Sequence, residues 1–127
     1  MVKAAVYATI PNVGAMNEFI GAFDVPSKVT DFIYHCRFSH CWNAIATRHS
    51  DTMDCKFFVD GKGVVLGLAH GGFVTFRERS GRNLSDREAS YIAAEYLRER
   101  LEQEDEHSLY DVSVPDVLRL IEKLQIC

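Results

Sequence analysis

The sequence predicts an α+β fold in which an antiparallel β-meander of three to four strands carries helices on one face, in the order β-α-α-α-β-β-β-α-α. Three observations predict it. Residues 55–79 contain three apolar runs separated by glycine turns. Residues 84–103 place apolar side chains at helical spacing behind a capping signal. Stripes of helical period also occupy much of the first half of the chain.

The first half of the chain is predicted to form one strand and three helices. In residues 2–10 apolar and polar side chains alternate until Pro11, which is typical of a strand with one buried face. Helical spacing of apolar residues then indicates three helices. They cover residues 12–23 with Asn12 as the N-cap, 29–36 after Pro26, and 39–49 with Ser39 as the N-cap.

The middle of the chain is predicted to form the meander. Its three strands are the runs CKFFV, VVLGLA and FVTFRER. Asp60-Gly61, between the first two runs, is a strong hairpin signal because both residues tolerate positive φ. His70-Gly71-Gly72 is interpreted as the second hairpin turn, although glycines beside a histidine would also let a ligand approach the backbone. The strand over residues 2–10 is expected to join this sheet.

Two helices are predicted to end the chain. Ser85, followed three residues later by Glu88, forms a capping box. The acidic connector EQEDEH then leads to a last helix that begins near Ser113 and Pro115. The apolar stripe of the first of these helices consists of Ala89, Ile92, Ala93, Tyr96, Leu97 and Leu101.

The composition is typical of a globular protein. The chain has 127 residues, of which 47% are hydrophobic and 25% charged, so one globular domain over residues 1–127 is expected. Its longest apolar run is too short for a membrane span, and its N-terminus lacks the segments of a signal peptide. We therefore expect a cytoplasmic protein with no membrane partner, whose four cysteines are reduced thiols.

The net charge of −4 is unevenly distributed. Residues 1–80 contain eight Lys or Arg and seven Asp or Glu, whereas residues 81–127 contain six and eleven. A nucleic-acid partner requires clustered positive charge, so this distribution argues against one. It is compatible with a basic protein partner.

The stretch YHCRFSHCWNAIATRH, residues 34–49, holds three histidines and two cysteines. On a helix, Cys36 and His40 would lie one turn apart and could supply two of the four ligands of a zinc ion. No C-x-x-C or H-E-x-x-H spacing is present, and buried cysteines commonly pack as small apolar side chains. Structural thiols are therefore favoured and no cofactor is expected. The alternative is a zinc site built from Cys36, His40, Cys41 and His70, with His49 or Cys55 as further candidate ligands.

A nucleophilic thiol is a second candidate in the same stretch. Cys41 follows the predicted N-cap Ser39, where a helix N-terminus would lower its pKa, and a histidine could act as its base. With five histidines and four cysteines in the chain, such pairs also arise by chance. No catalytic residue is therefore assigned.

Three arginines precede the best helix and form a candidate anion-binding site. Arg77 and Arg79 are predicted to share one face of a strand, and Arg82 and Ser85 lie beside the unpaired N–H groups of the helix start. This arrangement suits a phosphate or carboxylate ligand. The alternative is a solvated basic rim offset by the neighbouring acidic residues Glu78, Asp86 and Glu88.

Taken together, these features predict a small acidic protein-binding module without catalysis, such as an adaptor, an inhibitor or an antidote to a basic toxin. Homodimerisation through the sheet or the last helix is a further hypothesis, because aromatic side chains on an open sheet face mark partner surfaces. The aromatic residues concerned are Phe57, Phe58, Phe73 and Phe76. The alternative function is a metal-binding, ligand-binding or thiol-dependent site at the residues named above.

Overall fold

The computed structural model describes residues 18–43 and 51–127. These residues form five strands and three helices in the order β-β-β-β-α-α-β-α. The α+β class is therefore confirmed, whereas the predicted order is not. The elements are β1 (Ala22–Pro26), β2 (Ile33–Asn43), β3 (Thr52–Val59), β4 (Lys62–Ala69), α1 (His70–Ser80), α2 (Asp86–Glu102), β5 (Leu109–Val112) and α3 (Val114–Lys123).

The strands form one mixed sheet in the order β1-β2-β3-β4-β5. The first four strands are antiparallel neighbours, as in the predicted meander, but β5 pairs parallel to β4. A parallel neighbour requires a long crossover connection, and α1 and α2 provide it. The sheet is therefore mixed and not purely antiparallel.

The hairpin between β3 and β4 is the part of the meander that the prediction places correctly. Asp60 and Gly61 form its turn with φ angles of 50° and 83°. Positive φ at both central residues is the geometry that a two-residue hairpin turn prefers, and Asp-Gly adopts it at low cost. The local sequence is therefore sufficient to set this hairpin.

The three helices predicted over residues 12–23, 29–36 and 39–49 are wrong in their described parts. Residues 22–23 belong to β1, residues 33–36 and 39–43 belong to β2, and residues 18–21 and 29–32 are not helical. Tyr34, Cys36 and Phe38 alternate as a strand requires, but a bulge between Phe38 and His40 interrupts the alternation. Phe38 and Cys41 consequently face the same side at a spacing of three residues, which imitates a helical stripe. The predicted strand 2–10 and the remaining parts of the predicted helices, residues 12–17 and 44–49, lie outside the described residues.

The predicted strand FVTFRER and the turn before it are also wrong, because His70–Ser80 is the helix α1. No side chain caps its start, and the His70 N–H instead donates to the Asp51 carbonyl oxygen at 3.0 Å. The two glycines allow α3 to pack closely: a Cβ on Gly72 would lie 2.5 Å from Cγ1 of Val117. They therefore serve helix packing and not a hairpin turn.

Helix α2 lies at the centre of the core, where it packs against β1, β2, β3 and β4. Ala89, Ile92, Ala93 and Leu97 are fully buried beneath the sheet residues. The predicted capping box is confirmed: the Ser85 hydroxyl accepts from the Glu88 N–H at 3.0 Å, and a Glu88 carboxylate oxygen accepts from the Ser85 N–H at 2.9 Å.

Helix α3 confirms the prediction for the end of the chain. Its N-cap is Ser113, whose hydroxyl accepts from the Asp116 N–H at 3.3 Å, and Pro115 lies in the first turn. The helix packs on α1, α2 and β4. Within residues 18–43 and 51–127, no helix combines the length and the apolar character needed to cross a bilayer.

Ion pairs connect α2 to α3 and to the β1–β2 loop. Glu99 binds Arg119 and Lys123 of α3 through contacts of 2.9 Å and 2.8 Å. Burial alone would raise the pKa of Glu99, but hydrogen bonds from Arg119 and Lys123 outweigh it and lower the pKa to about 2. In the same last turn of the helix, Lys28 of the β1–β2 loop binds Glu102 at 3.3 Å.

Replacing Gly72 with alanine tests the contact between α1 and α3. Alanine normally favours a helix over glycine by about 1 kcal/mol. We expect Gly72→Ala instead to lower the free energy of unfolding by about 1–3 kcal/mol, because its Cβ overlaps Val117. Urea denaturation measures the change. Adding Val117→Ala should recover part of the loss relative to the sum of the single variants, and a stabilising Gly72→Ala would contradict the packing.

The pH dependence of stability tests the pairs of Glu99. Since the pKa of Glu99 is lower in the folded chain than its ordinary value, its contribution is present above about pH 4.3 and is lost as the pH falls towards 2. We expect Glu99→Gln to flatten the loss of stability between about pH 5 and pH 2. The matched control is Glu122→Gln, an exposed carboxylate of α3. Equal slopes for both variants would disprove the role of Glu99.

Candidate functional site

The cysteines and histidines of the first half lie on opposite faces of β2. Cys36 and Cys41 face α2, whereas His35 and His40 face away from it. Cys36 is 3% exposed, and burial raises its pKa to about 12. This thiol therefore packs as an apolar side chain, as the structural interpretation of the cysteines predicted.

The four residues of the hypothetical zinc site do not come together. His40 lies on the outer face of the sheet, opposite to Cys36 and Cys41, because it belongs to a strand and not to a helix. His70 begins α1, where its ring stacks on Phe73 with centroids 6.0 Å apart. In the part of the chain that the structure describes, no group of three or more His, Cys, Asp or Glu is arranged to hold a metal ion.

Cys41 does meet a second thiol. It lies directly opposite Cys55 on β3, and the two Sγ atoms are 2.8 Å apart. Cys55 is fully buried, and burial followed by the hydrogen bond with Cys41 raises its pKa well above the usual value. Because Ser39 lies in a strand, Cys41 lacks the helix N-terminus that the nucleophile hypothesis required.

The arginines of the hypothetical anion site are separated. Arg77 and Arg79 are two positions apart on α1, so they point about 200° apart and do not share a face. Arg82 binds both carboxylate oxygens of Glu88, at 2.9 Å and 2.8 Å, and donates to the carbonyl oxygen of Cys127. The hydrogen bond to Glu88 raises the pKa of Arg82. Ser85 is engaged in the capping box, so the helix start binds groups of its own chain.

The outer face of the sheet brings together cations and an aromatic ring that the sequence analysis did not connect. The guanidinium carbon of Arg37 lies 4.4 Å from the centroid of the Phe58 ring, and the Lys56 ammonium nitrogen lies 5.1 Å from it. Arg37 is exposed and Phe58 is half-buried. Ala22 and Gly63 flank this pair on the neighbouring strands, so small residues border it.

A shallow groove of about 280 Å³ runs beside Arg37 and Phe58. His35 and Asp24 form its far wall through a contact of 2.9 Å between Nδ1 and Oδ1. The hydrogen bond and charge of Asp24 raise the pKa of His35. Asp60 closes one end, where its carboxylate accepts from the His35 N–H at 3.1 Å. We name this surface, formed by Asp24, His35, Arg37, Lys56, Phe58 and Asp60, the outer-face patch.

A second cleft of about 230 Å³ lies at the end of the sheet, between the β3–β4 turn and the connector that follows α2. Val59, Leu101 and Tyr110 line its apolar part, and Lys62 and Glu106 line its polar part. Glu106 also accepts a hydrogen bond of 2.8 Å from the Tyr34 hydroxyl. This hydrogen bond links the connector, which lines the cleft, to β2, the strand that carries His35 and Arg37 of the outer-face patch.

Of the outer-face patch, only Phe58 is predicted from the sequence as an aromatic residue of an open sheet face. His35 and Arg37 were missed because β2 was predicted to be helical. A signal for them exists: His35 and Arg37 alternate with Tyr34 and Cys36, as polar and apolar residues do in a half-buried strand. In a correct strand assignment Arg37 falls on the solvent face. The pairing of Arg37 with Phe58 could not be predicted from this alternation, because the register between strands is not a local property.

The chain was compared with known proteins at three levels. No protein-family model matches it, no curated protein matches it, and no solved structure matches it.

Thiol reactivity tests the placement of the cysteines. We expect iodoacetamide at about pH 8 to modify the exposed Cys127 first, because a thiol must be accessible and ionised to react. Cys36 should react at least about tenfold more slowly until denaturant is added, since its pKa is raised to about 12. Peptide-resolved mass spectrometry follows each site. Rapid modification of Cys36 in the folded chain would disprove the buried position.

Proposed function

We propose that the protein is a binding module that recognises an acidic segment of a protein partner through the outer-face patch. The observation that carries the proposal is the approach of Arg37 and Lys56 to the ring of Phe58 on the exposed side of the sheet. A cation held beside an aromatic ring, in reach of solvent, offers both charge and apolar contact to a partner.

The distribution of ion pairs favours an acidic partner over the basic partner expected from composition. Six of the eleven carboxylates of residues 81–127 pair with Lys or Arg side chains within the described residues, so these six are already engaged and are less available to a basic partner. By contrast, Arg37 and Lys56 contact a ring. The carboxylates paired with Lys or Arg are Glu88, Glu95, Glu99, Glu102, Asp105 and Asp116.

Recognition is proposed to combine two contacts. The planar guanidinium of Arg37 can donate two parallel hydrogen bonds to a carboxylate of the partner, which an exposed arginine does at modest entropic cost. An apolar or aromatic side chain next to that carboxylate would pack on Phe58, in the groove beside it. On β1 the small residue Ala22 borders Arg37, whereas on β4 the Lys56 side chain lies over Gly63.

A protein segment is a better partner for this patch than a nucleic acid. Asp24 and Asp60 border the groove, where they would repel successive phosphates of a strand. The net charge of the whole chain is also negative, at −4. A protein segment can instead present one acidic side chain to Arg37 and uncharged residues to the two aspartates. Homodimerisation remains a separate hypothesis, which sedimentation of the purified protein tests.

Charge reversal on the patch tests the proposed function. The probe is a set of fluorescent peptides with an aromatic residue between glutamates, and the matched set carries glutamine instead. We expect the acidic set to bind the protein more tightly in fluorescence anisotropy at low salt. The double variant Arg37→Glu/Lys56→Glu should weaken that binding about tenfold or more.

The matched control is Arg77→Glu/Arg79→Glu, which makes the same change of charge on α1. It should retain binding, because these arginines lie outside the patch. Three results would overturn the proposal: equal binding of both peptide sets, equal losses in both double variants, or tighter binding of a single-stranded oligonucleotide of similar length. Thermal melting confirms that each variant is folded.

A further inference from the structure

Cys41 and Cys55 are placed as a disulfide requires, although both are free thiols. They are directly opposite each other on the antiparallel strands β2 and β3. In such pairs the Cα atoms are about 4.5–5.5 Å apart, within the range of about 4.4–6.8 Å found in disulfides. The Sγ atoms are 2.8 Å apart, so a bond of about 2.05 Å needs a movement of less than about 1 Å.

We propose that Cys41 and Cys55 are a redox-active dithiol that closes reversibly to a disulfide between β2 and β3, with a low-molecular-weight disulfide such as oxidised glutathione as the oxidant. Neither the outer-face patch nor the acidic partner enters this proposal, because both thiols face the opposite side of the sheet.

The surroundings of the two thiols assign the order of the reaction. Cys41 is partly exposed, so an oxidant can reach it, whereas Cys55 is fully buried. Burial also raises the pKa of Cys55, which makes it the poorer first nucleophile. After the first step Cys55 needs no access to solvent, because its target is the adjacent sulfur of Cys41.

In the first step the thiol of Cys41 loses its proton and its sulfur attacks one sulfur of oxidised glutathione. The S–S bond of the oxidant breaks, and one glutathione leaves and takes up a proton. In the second step Cys55 loses its proton, its sulfur attacks Cys41, and the second glutathione leaves and is protonated. The protein loses two protons and two electrons, and one glutathione disulfide becomes two thiols.

The fold tolerates the closed state because the bulge adjoins the pair. The irregularity between Phe38 and His40 leaves Ser39 outside the regular register, so the hydrogen-bond ladder is interrupted two residues before Cys41. On the other side, Cys55 Sγ lies 3.9 Å from the Ala89 carbonyl oxygen of α2. A small shift of Cys55 towards Cys41 would lengthen this weak contact with the Ala89 carbonyl oxygen.

The test uses the full chain with Cys127→Ser, which removes the exposed thiol as a source of intermolecular bonds. The protein is incubated with oxidised glutathione and examined by intact-mass and peptide-mapping mass spectrometry. We expect the mass to fall by two hydrogens, with a peptide containing Cys41 linked to one containing Cys55. Dithiothreitol should restore the mass.

Further variants separate this pair from the other thiols. Adding Cys36→Ser should leave the bond intact, whereas adding Cys41→Ser should abolish it. The closed form should also melt higher than the reduced form, by about 5 °C or more, because the bond closes a loop of the unfolded chain. The proposal is overturned if the thiols remain reduced under excess oxidant, if the linked peptide contains Cys36, or if only a glutathione adduct accumulates.

Discussion

The burial of α2 against the sheet is the constraint on which the rest of the described structure depends. From Glu88 to Glu95 every residue of the helix is buried, including the polar residues Glu88, Ser90 and Glu95. Such enclosure excludes water from polar groups, and each of them must find a partner within the protein. The Ser90 hydroxyl, for example, accepts from the Ile20 N–H at 3.1 Å. The segment before β1 and the helix α3 provide such partners, through Ile20 for Ser90 and through Lys123 for Glu95.

Several acidic residues of α2 bind cations of neighbouring elements. Glu95 binds Arg98 and Lys123, and Glu102 binds Arg98 and Lys28. These contacts join α2 to α3 and to the β1–β2 loop, which also places its Lys28 N–H 2.8 Å from the Glu102 carbonyl oxygen. Glu95 and Glu102 therefore help to hold α2 against α3 and the β1–β2 loop.

The strand β2 separates two kinds of chemistry that the sequence places side by side. Alternation directs His35 and Arg37 to the outer face and Cys36 to the core. The bulge then shifts the alternation by one residue, so Cys41 faces the core and contacts Cys55. One strand thus carries a cationic surface on one side and thiols on the other, without a shared site.

The sequence by itself determined the elements whose signals are local. The capping box of α2, the Ser113 cap and Pro115 of α3, and the Asp60-Gly61 turn each act through neighbours in the chain, and each is confirmed. The contacts that stabilise these caps and this turn join residues a few positions apart, so they can be predicted from the sequence.

Only the tertiary structure decided the remaining elements and the candidate sites. FVTFRER has the residues of a strand, but it forms α1 because Gly72 lets that helix pack against Val117. β5 has only four residues, with Tyr110 and Val112 buried, and it is a strand because β4 offers it a free edge. The contact of Arg37 with Phe58 and the contact of Cys41 with Cys55 were also decided by the tertiary structure. Each of these contacts joins residues that are distant in the chain, and the register that brings them together is set by the whole sheet and core.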